Sequence, residues 1–243
     1  MMSAENWLTA LSGEVRSAIE QRMSTMDYAA GAIVRRAGDR AIGLYQVEEG
    51  YLKLLGLTPD GRQVLLLLYR PGNGFGETPV VAQRPFNHTT VALTNTRVRF
   101  LAERDFWELY AQFREIPDTL CRKFAGNISR LFAAREWRST LRLRDLIGST
   151  FATLAAQCGT PMRDGTILID LPLVQTDFAE YLEVTRQAVQ REIGALKRAG
   201  LVSQRRQQWL IHDLKQLNRS GASFIDASHA APPDLLSVDR FTS

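Results

Sequence analysis

Cysteine and histidine are scarce in this sequence. The 243 residues contain two cysteines and three histidines, and these side chains do not cluster along the chain. They offer no disulfide framework and no set of metal ligands, so we expect no metal site. A metal-dependent oxygenase on a double-sheet barrel would need clustered histidine and carboxylate ligands, and no nucleophile–base set is recognisable. We therefore expect a protein that is not an enzyme.

Long apolar segments are absent as well. The strongest apolar run, residues 64–69, is far too short to cross a bilayer. Residues 1–10 lack the basic region and the long apolar stretch of a signal peptide. Together with the low cysteine content, these features lead us to expect a cytoplasmic protein that does not enter a membrane.

The excess of positive charge is small, but it lies in one part of the chain. The formal net charge is +4 at pH 7. Residues 1–116 carry 13 basic and 13 acidic side chains, whereas residues 117–219 carry 16 basic and 10 acidic ones. A localised positive field is what attraction to nucleic-acid phosphates requires. The alternative is a solubilising surface charge, which would not need to be segregated in this way.

Residues 176–201 carry the pattern of a helix-turn-helix. A short amphipathic helix breaks at Glu183, and a second helix follows Thr185, whose side chain suits an N-cap. Apolar residues at helical spacing line one side of the second helix, which leaves its other side free to enter a DNA major groove. From residue 185 to residue 206 there are six Lys or Arg and one acidic residue, which favours DNA binding over an ordinary helical hairpin. The candidate DNA-binding residues are Thr176, Thr185, Arg186, Gln187, Gln190, Arg191, Lys197, Arg205 and Arg206.

Short strands separated by turns are predicted in the first half. A helical segment at residues 3–26 precedes them. The predicted strands lie at residues 44–47, 51–57, 62–69, 89–93 and 97–101. Thr58-Pro59-Asp60-Gly61 is a hairpin turn signal, and residues 70–77 form a glycine-rich corner. Many short strands at regular spacing predict an antiparallel barrel or double sheet.

A long helix is predicted from residue 117 to about residue 144. Its apolar positions are separated by threes and fours, which suits a parallel two-stranded coiled coil. A helix packed on its own domain is the alternative. A dimer also fits a helix-turn-helix, which usually binds two half-sites related by twofold symmetry. The predicted dimer-interface residues are Leu120, Phe124, Ile128 and Leu131.

The order of these parts resembles the Crp/Fnr family of bacterial transcription regulators. The resemblance covers about residues 20–217 and rests on EEGYLKL, TPDGRQVLL, RPGNGFGE, ALTNTRV, the helix-turn-helix and LVSQRRQQWLIHDLKQL. It implies an α+β chain with an N-terminal antiparallel β-roll, like the cyclic-nucleotide-binding jelly roll, a long dimerisation helix and a C-terminal winged helix-turn-helix. The implied boundaries are 1–116 for the sensor β-roll with its N-terminal helix, 117–144 for the dimerisation helix, 145–217 for the winged domain and 218–243 for a polar tail.

The resemblance implies a dimeric, sequence-specific DNA-binding regulator. Its expected partners are a twofold-symmetric double-stranded DNA operator, a second copy of the chain, an unknown small effector and, as a further candidate, RNA polymerase. Two alternatives stay open, namely a family member that needs no effector and a ligand-binding β-roll module without DNA readout.

The resemblance also places a candidate effector pocket between the β-roll and the long helix. Members that bind cyclic AMP use a Gly-Glu pair for the ribose, which Gly76-Glu77 matches. They use an Arg-Ser pair further on for the phosphate, where this chain has Phe86-Asn87-His88-Thr89. Arg84 comes a few residues too early, so we expect cyclic AMP to bind weakly or not at all. The candidate pocket residues are Gly76, Glu77, Arg84, His88, Thr89, Ala134 and Arg135.

Other family sensors leave the effector unknown. The oxygen-sensing branch holds an iron–sulfur cluster with four cysteines, most of them near the N-terminus. This chain has two cysteines and none before Cys121, so ligation by four thiolates within one chain is excluded. A haem needs an axial ligand, for which His88 is the histidine near the expected pocket, but a loop histidine is far more often a surface residue.

Two positions of the helix-turn-helix depart from the family pattern. Gln187 stands where relatives have a glutamate that accepts from cytosine, whereas glutamine pairs best with adenine. We therefore expect an operator that differs from the family core at this position. Glu183 stands where relatives usually have glycine, at a position that often needs a positive φ.

Overall fold

The computed structural model describes residues 6–217, apart from the side chains of Trp137 and Arg138. The predicted polar tail at residues 218–243 lies outside the described residues. In the part of the chain that is described, no helix is long and apolar enough to span a membrane.

Two four-stranded antiparallel sheets form the N-terminal half. The strands are β1 (Ser24–Tyr28), β2 (Ile33–Arg35), β3 (Gly43–Glu49), β4 (Leu52–Leu57), β5 (Gln63–Tyr69), β6 (Gly74–Phe75), β7 (Thr89–Ala92) and β8 (Thr96–Ala102). The strand orders in the two sheets are β1-β8-β3-β6 and β2-β7-β4-β5. This double sheet confirms the predicted β-roll, and it contains three short strands, β1, β2 and β6, that sequence reasoning missed.

The N-terminal helix is shorter than predicted. A 3₁₀ turn at Trp7–Ala10 and helix α1 at Gly13–Glu20 replace the continuous helical segment expected at residues 3–26. From Ser24 the chain is extended, and Met26 pairs with Val98 of β8. The helical spacing of apolar residues in this segment is overridden because the strand fills the edge of a sheet that the rest of the β-roll provides.

The glycine-rich corner is shaped by one glycine above all. Gly76 has φ of +95°, and a Cβ at this position would lie 2.8 Å from the carbonyl oxygen of Gly43. Any other residue would therefore be strained and would clash with β3. The chain then enters the short helix α2 (Glu77–Val81), whose first residue is buried. The corner thus places a carboxylate inside the domain.

The long helix starts and ends earlier than predicted. Helix α3 (Glu103–Gln112) leads to α4 (Glu115–Thr140), and α5 (Leu143–Cys158) begins after a break. Arg142, in the break, has extended backbone angles. Arg144 therefore belongs to the C-terminal domain and not to the long helix α4.

The first half of α4 packs inside its own chain, which corrects part of the predicted dimer seam. Leu120 is 2% exposed and lies in the core of the β-roll, and Phe124 packs against the same core. Ile128 and Leu131 are 54% and 59% exposed. Along its length, the helix therefore changes from a mostly buried element into a mostly exposed one.

The C-terminal half is a winged helix-turn-helix, as predicted. After α5, its elements are β9 (Gly159–Pro161), β10 (Ile167–Ile169), α6 (Gln175–Leu182), α7 (Arg186–Arg198), β11 (Val202–Arg205), β12 (Gln208–Ile211) and α8 (Leu214–Leu217). The four strands form a small antiparallel sheet of order β11-β12-β10-β9. Phe151, Phe178 and Trp209 meet at centroid distances of 4.9 to 5.8 Å. The indole N–H of Trp209 donates to the carbonyl of Leu173 at 2.9 Å, which satisfies its buried polar atom.

The winged domain rests on the β-roll of the same chain. Leu65 and Leu68 of β5 are buried in one apolar cluster with Phe178 of α6. Lys53 of β4 forms a largely buried ion pair with Asp177 of α6. These contacts orient the winged domain, and with it α7, relative to the β-roll of the same chain.

Candidate nucleic-acid interface and ligand pocket

Helix α7 is positioned by its cap and by its buried side. The Thr185 hydroxyl accepts from the backbone N–H of Ala188 at 3.2 Å, as an N-cap does. Val189, Ile193 and Leu196 are buried against the domain core. Glu183 has φ of +58° and ψ of +39°, so the positive φ expected at this turn position is present although the residue is not glycine.

The opposite side of α7 carries polar and basic side chains that are exposed. Arg186, Gln187, Gln190 and Arg191 all lie there, and Thr176 at the start of α6 is exposed too. Long donors and amides on an exposed helix can reach base edges and phosphates in a major groove. The structure thus brings the predicted base-reading residues to one surface.

The wing holds two further predicted DNA-binding residues, and a third, Lys197 of α7, contacts it. Arg205 and Arg206 are exposed at the tip between β11 and β12, where Arg206 has φ of +56°. Lys197 donates to the side-chain amide of Gln204 at 3.2 Å, and its ammonium lies 5.0 Å from the ring centroid of Trp209. Lys197 therefore ties α7 to the wing.

A carboxylate between two arginines lies beside the recognition helix. Glu192 accepts from Nε of Arg191 at 3.1 Å and from Nε of Arg144 at 3.0 Å. Hydrogen bonds from Arg191 and then Arg144 hold the pKa of Glu192 below its usual value. Sequence reasoning missed Arg144 because it placed this residue at the end of the long helix.

A cavity of about 320 Å³ lies between the glycine corner of the β-roll and α4. Four predicted effector residues line it, namely Gly76, Glu77, Arg84 and His88. Helix α4 contributes Lys123, Asn127 and Leu131. In the described chain, Thr89, Ala134 and Arg135 are not among the lining residues. The hydroxyl of Thr89 accepts from the backbone N–H of Ala37, and the other two lie beyond Leu131 along α4.

A buried ion pair connects the glycine corner to α4. Lys123 pairs with Glu77, and the two side chains are 2% and 6% exposed. Lys123 also donates to the carbonyl of Gly74 at 3.5 Å. The second carboxylate oxygen of Glu77 is buried and has no hydrogen-bond partner within the described residues. The spacing of Leu120, Lys123, Asn127 and Leu131 along one helix face was the signal that could have identified Lys123.

The remaining candidate ligands for a cofactor are dispersed. Desolvation lowers the pKa of His88, which favours the neutral imidazole. Burial raises the pKa of Cys158 to about 11, so this thiol is unreactive near neutral pH. Within residues 6–217, no three His, Cys, Asp or Glu side chains are grouped to hold a metal ion.

The two halves each match a known domain family. Residues 25–113 match the cyclic nucleotide-binding domain, and residues 143–220 match the Crp-like helix-turn-helix domain. A sensor-type β-roll joined to a winged DNA-binding domain defines a class of transcription regulators.

Several relatives match across both halves. The chain is 28% identical to the transcriptional regulator LdrP of Thermus thermophilus, covering 79% of this chain and 93% of the relative. It is 27% identical to the transcriptional activator protein FnrL of Cereibacter sphaeroides, covering 78% and 77%. A solved CRP-family regulator, also from Thermus thermophilus, has a TM-score of 0.67 and 26% identity, covering 82% of this chain and 97% of that one. The chain belongs to the Crp/Fnr family and is a DNA-binding transcription regulator.

Replacing Lys123 tests how much the buried Lys123–Glu77 ion pair contributes to the free energy of unfolding. Lys123→Met leaves the Glu77 carboxylate buried without its cation, so the free energy of unfolding should fall by about 3–5 kcal/mol. Urea unfolding followed by circular dichroism measures this. The double variant Lys123→Met/Glu77→Met removes both charges and should recover most of the loss. A double variant as unstable as the single one would mean that the pairing does not account for the effect.

Proposed function

We propose that the protein is a homodimer whose two α7 helices read a twofold-symmetric operator. The observation that carries this proposal is the exposed polar face of α7, which includes Arg186, Gln187 and Arg191, on a helix whose other side is buried. The exposed arginines of the wing tip extend this surface and suit contacts with flanking phosphates.

The second half of α4 is the surface for a second copy of the chain. Ile128, Leu131 and Phe132 are 54%, 59% and 63% exposed, and they follow each other at helical spacing. A stripe of large apolar side chains on a surface helix is a site of association. A second copy fits because the same stripe on two parallel helices is self-complementary. Symmetric pairing would also present two recognition helices to successive major grooves.

The double variant Ile128→Glu/Phe132→Glu should be monomeric, because it places charges in an apolar seam. DNA affinity should fall with it, since one half-site alone would be held. Sedimentation equilibrium and a binding titration measure the two effects. Leu57→Glu/Ile42→Glu changes two exposed apolar residues outside α4 and should remain dimeric. Unchanged sedimentation of the α4 variant would contradict a dimer through this seam.

The sequence preference is set in part by Gln187. A glutamine amide can donate to N7 and accept from N6 of adenine, which a glutamate cannot do. Gln187 is exposed in the first turn of α7, the part of a recognition helix that contacts base edges. The operator half-site therefore differs from the family core at the base pair that faces Gln187.

Gln187→Glu should move the preference at this base pair toward cytosine, by about 1–3 kcal/mol. Operators selected from random DNA by the wild type and the variant measure the change. Gln207→Glu adds the same charge at the exposed wing tip and should weaken all sequences about equally. Identical half-sites selected by wild type and Gln187→Glu would sink the idea.

The cavity is poorly suited to cyclic AMP, which should bind weakly or not at all. Glu77 stands where cyclic-AMP-binding members hold the ribose, and it is already paired with Lys123. The loop at residues 86–89 carries no fixed cation for a cyclic phosphate, and Arg84 is exposed at the rim of the cavity. One relative, from Mycobacterium tuberculosis and 26% identical, is described as cyclic-AMP-activated. Of the two anchoring points that a cyclic nucleotide needs, the ribose-binding pair is retained but engaged by Lys123, and the phosphate-binding pair is replaced.

Calorimetric titration with cyclic AMP should give no binding at micromolar concentration, because the pocket offers no placed phosphate partner and its ribose-position carboxylate, Glu77, is engaged by Lys123. DNA affinity should likewise stay the same when cyclic AMP is added. Micromolar binding that is lost on Arg84→Ala would show instead that the loop delivers its cation.

The cellular location and the further partner of the protein follow from its binding to DNA. The matched relatives are named as transcription regulators, and the protein acts as one in the cytoplasm, without enzymatic activity of its own. RNA polymerase is the partner through which an operator-bound regulator would change transcription.

A further inference from the structure

The acidic residue on the recognition helix has no role in the operator reading proposed above. Glu192 is the one acidic residue between positions 185 and 206, a segment whose other charged side chains are all positive. A carboxylate there repels DNA phosphates, so its presence reduces non-specific attraction. Its side chain is only 13% exposed and lies between two arginines that are 71% and 58% exposed.

Both arginines meet this carboxylate with the same atom. Arg191 and Arg144 each donate from Nε. The Nη groups of a guanidinium lie at the end away from the side-chain stem, and they carry further donors. The carboxylate therefore holds each planar group in place without using up the donors at its outer end. A paired fork of such donors is what guanine O6 and N7 accept, and a phosphate accepts in a similar way.

Fixing an arginine before it meets DNA also has an entropic effect. A free arginine side chain loses rotamer freedom when it becomes ordered at an interface, and that loss weakens binding. Arg191 restrained by its neighbour Glu192 loses less on contact with a base. The restraint improves binding only to a base whose acceptors lie where the restrained Arg191 guanidinium points. It therefore increases specificity.

The geometry points to Glu192 as a positioning residue that aims Arg191 at a guanine of the half-site and Arg144 at an adjacent phosphate. Arg144, at the start of α5, thereby becomes a DNA contact contributed from outside the helix-turn-helix. This assignment rests on the proposed reading of the operator by α7. Glu192 then has two opposite effects on DNA binding. Its hydrogen bond to Arg191 sharpens base choice, and its negative charge weakens the non-specific attraction of DNA of any sequence.

Operator selection from random DNA and salt-dependent binding together test this assignment. The probes are the full-length wild type, Glu192→Gln and Arg144→Ala. Glu180→Gln is the matched control, because it removes one charge from α6 at a side chain whose partner is Gln63 of the β-roll. Glu192→Gln should lose roughly tenfold of its preference for guanine at one base pair per half-site. Its affinity for non-specific DNA should rise, and the base pair facing Gln187 should be read as before.

Arg144→Ala separates the contribution of Arg144 from that of Arg191. It should lower affinity for all sequences and reduce the salt slope by about one unit per protomer, as loss of a phosphate contact does. The guanine preference should persist, because Glu192 still holds Arg191. Glu180→Gln should leave the selected half-site unchanged.

The contrary outcomes are distinguishable. Glu192→Gln could select the same half-site as the wild type and lose only thermal stability. In that case the hydrogen bonds to Glu192 merely join α5 to α7, and the positioning role is overturned. A wild type that selects no operator overturns the proposed operator reading, and this assignment with it.

Discussion

The rest of the structure depends on how α4 is buried. The inner face of its first half closes the β-roll core with Leu120 and places Lys123 against Glu77. A charge this far from water is tolerated only with its partner, so the pair holds the helix to the glycine corner at one register. That register leaves the apolar stripe from Ile128 to Phe132 exposed. It also brings the end of α4 to the place where α5 begins the winged domain.

Strands β4 and β5 connect the cavity to the winged domain through alternating side chains. Leu54 and Leu67 line the cavity, whereas their neighbours Lys53 and Leu68 contact α6 or its apolar cluster. Successive side chains of a strand point to opposite faces, so the same strands form a wall of the cavity and a support for the winged domain.

Local patterns explain which parts of the fold and of the site could be predicted. Thr185 as an N-cap, the hairpin at residues 58–61 and the apolar side of α7 depend on neighbouring residues, and all were recognisable from spacing. Strands β9 and β10 were missed because three residues carry too little periodicity. Strand β1 was missed because its apolar spacing also fits a helix. The role of Arg144 was hidden because a break of two residues decides which domain contains it.

The sequence by itself determined the domain order, the helix-turn-helix with its basic surface and the glycine that shapes the corner, since each follows from short-range sterics and periodicity. Tertiary structure decided which side of α4 faces inward, and so that Leu120 is core while Ile128 is surface. It alone paired Lys123 with Glu77 and Arg144 with Glu192, because these partners are 46 and 48 residues apart. Attraction between such charges depends on their distance after folding, which no local pattern records.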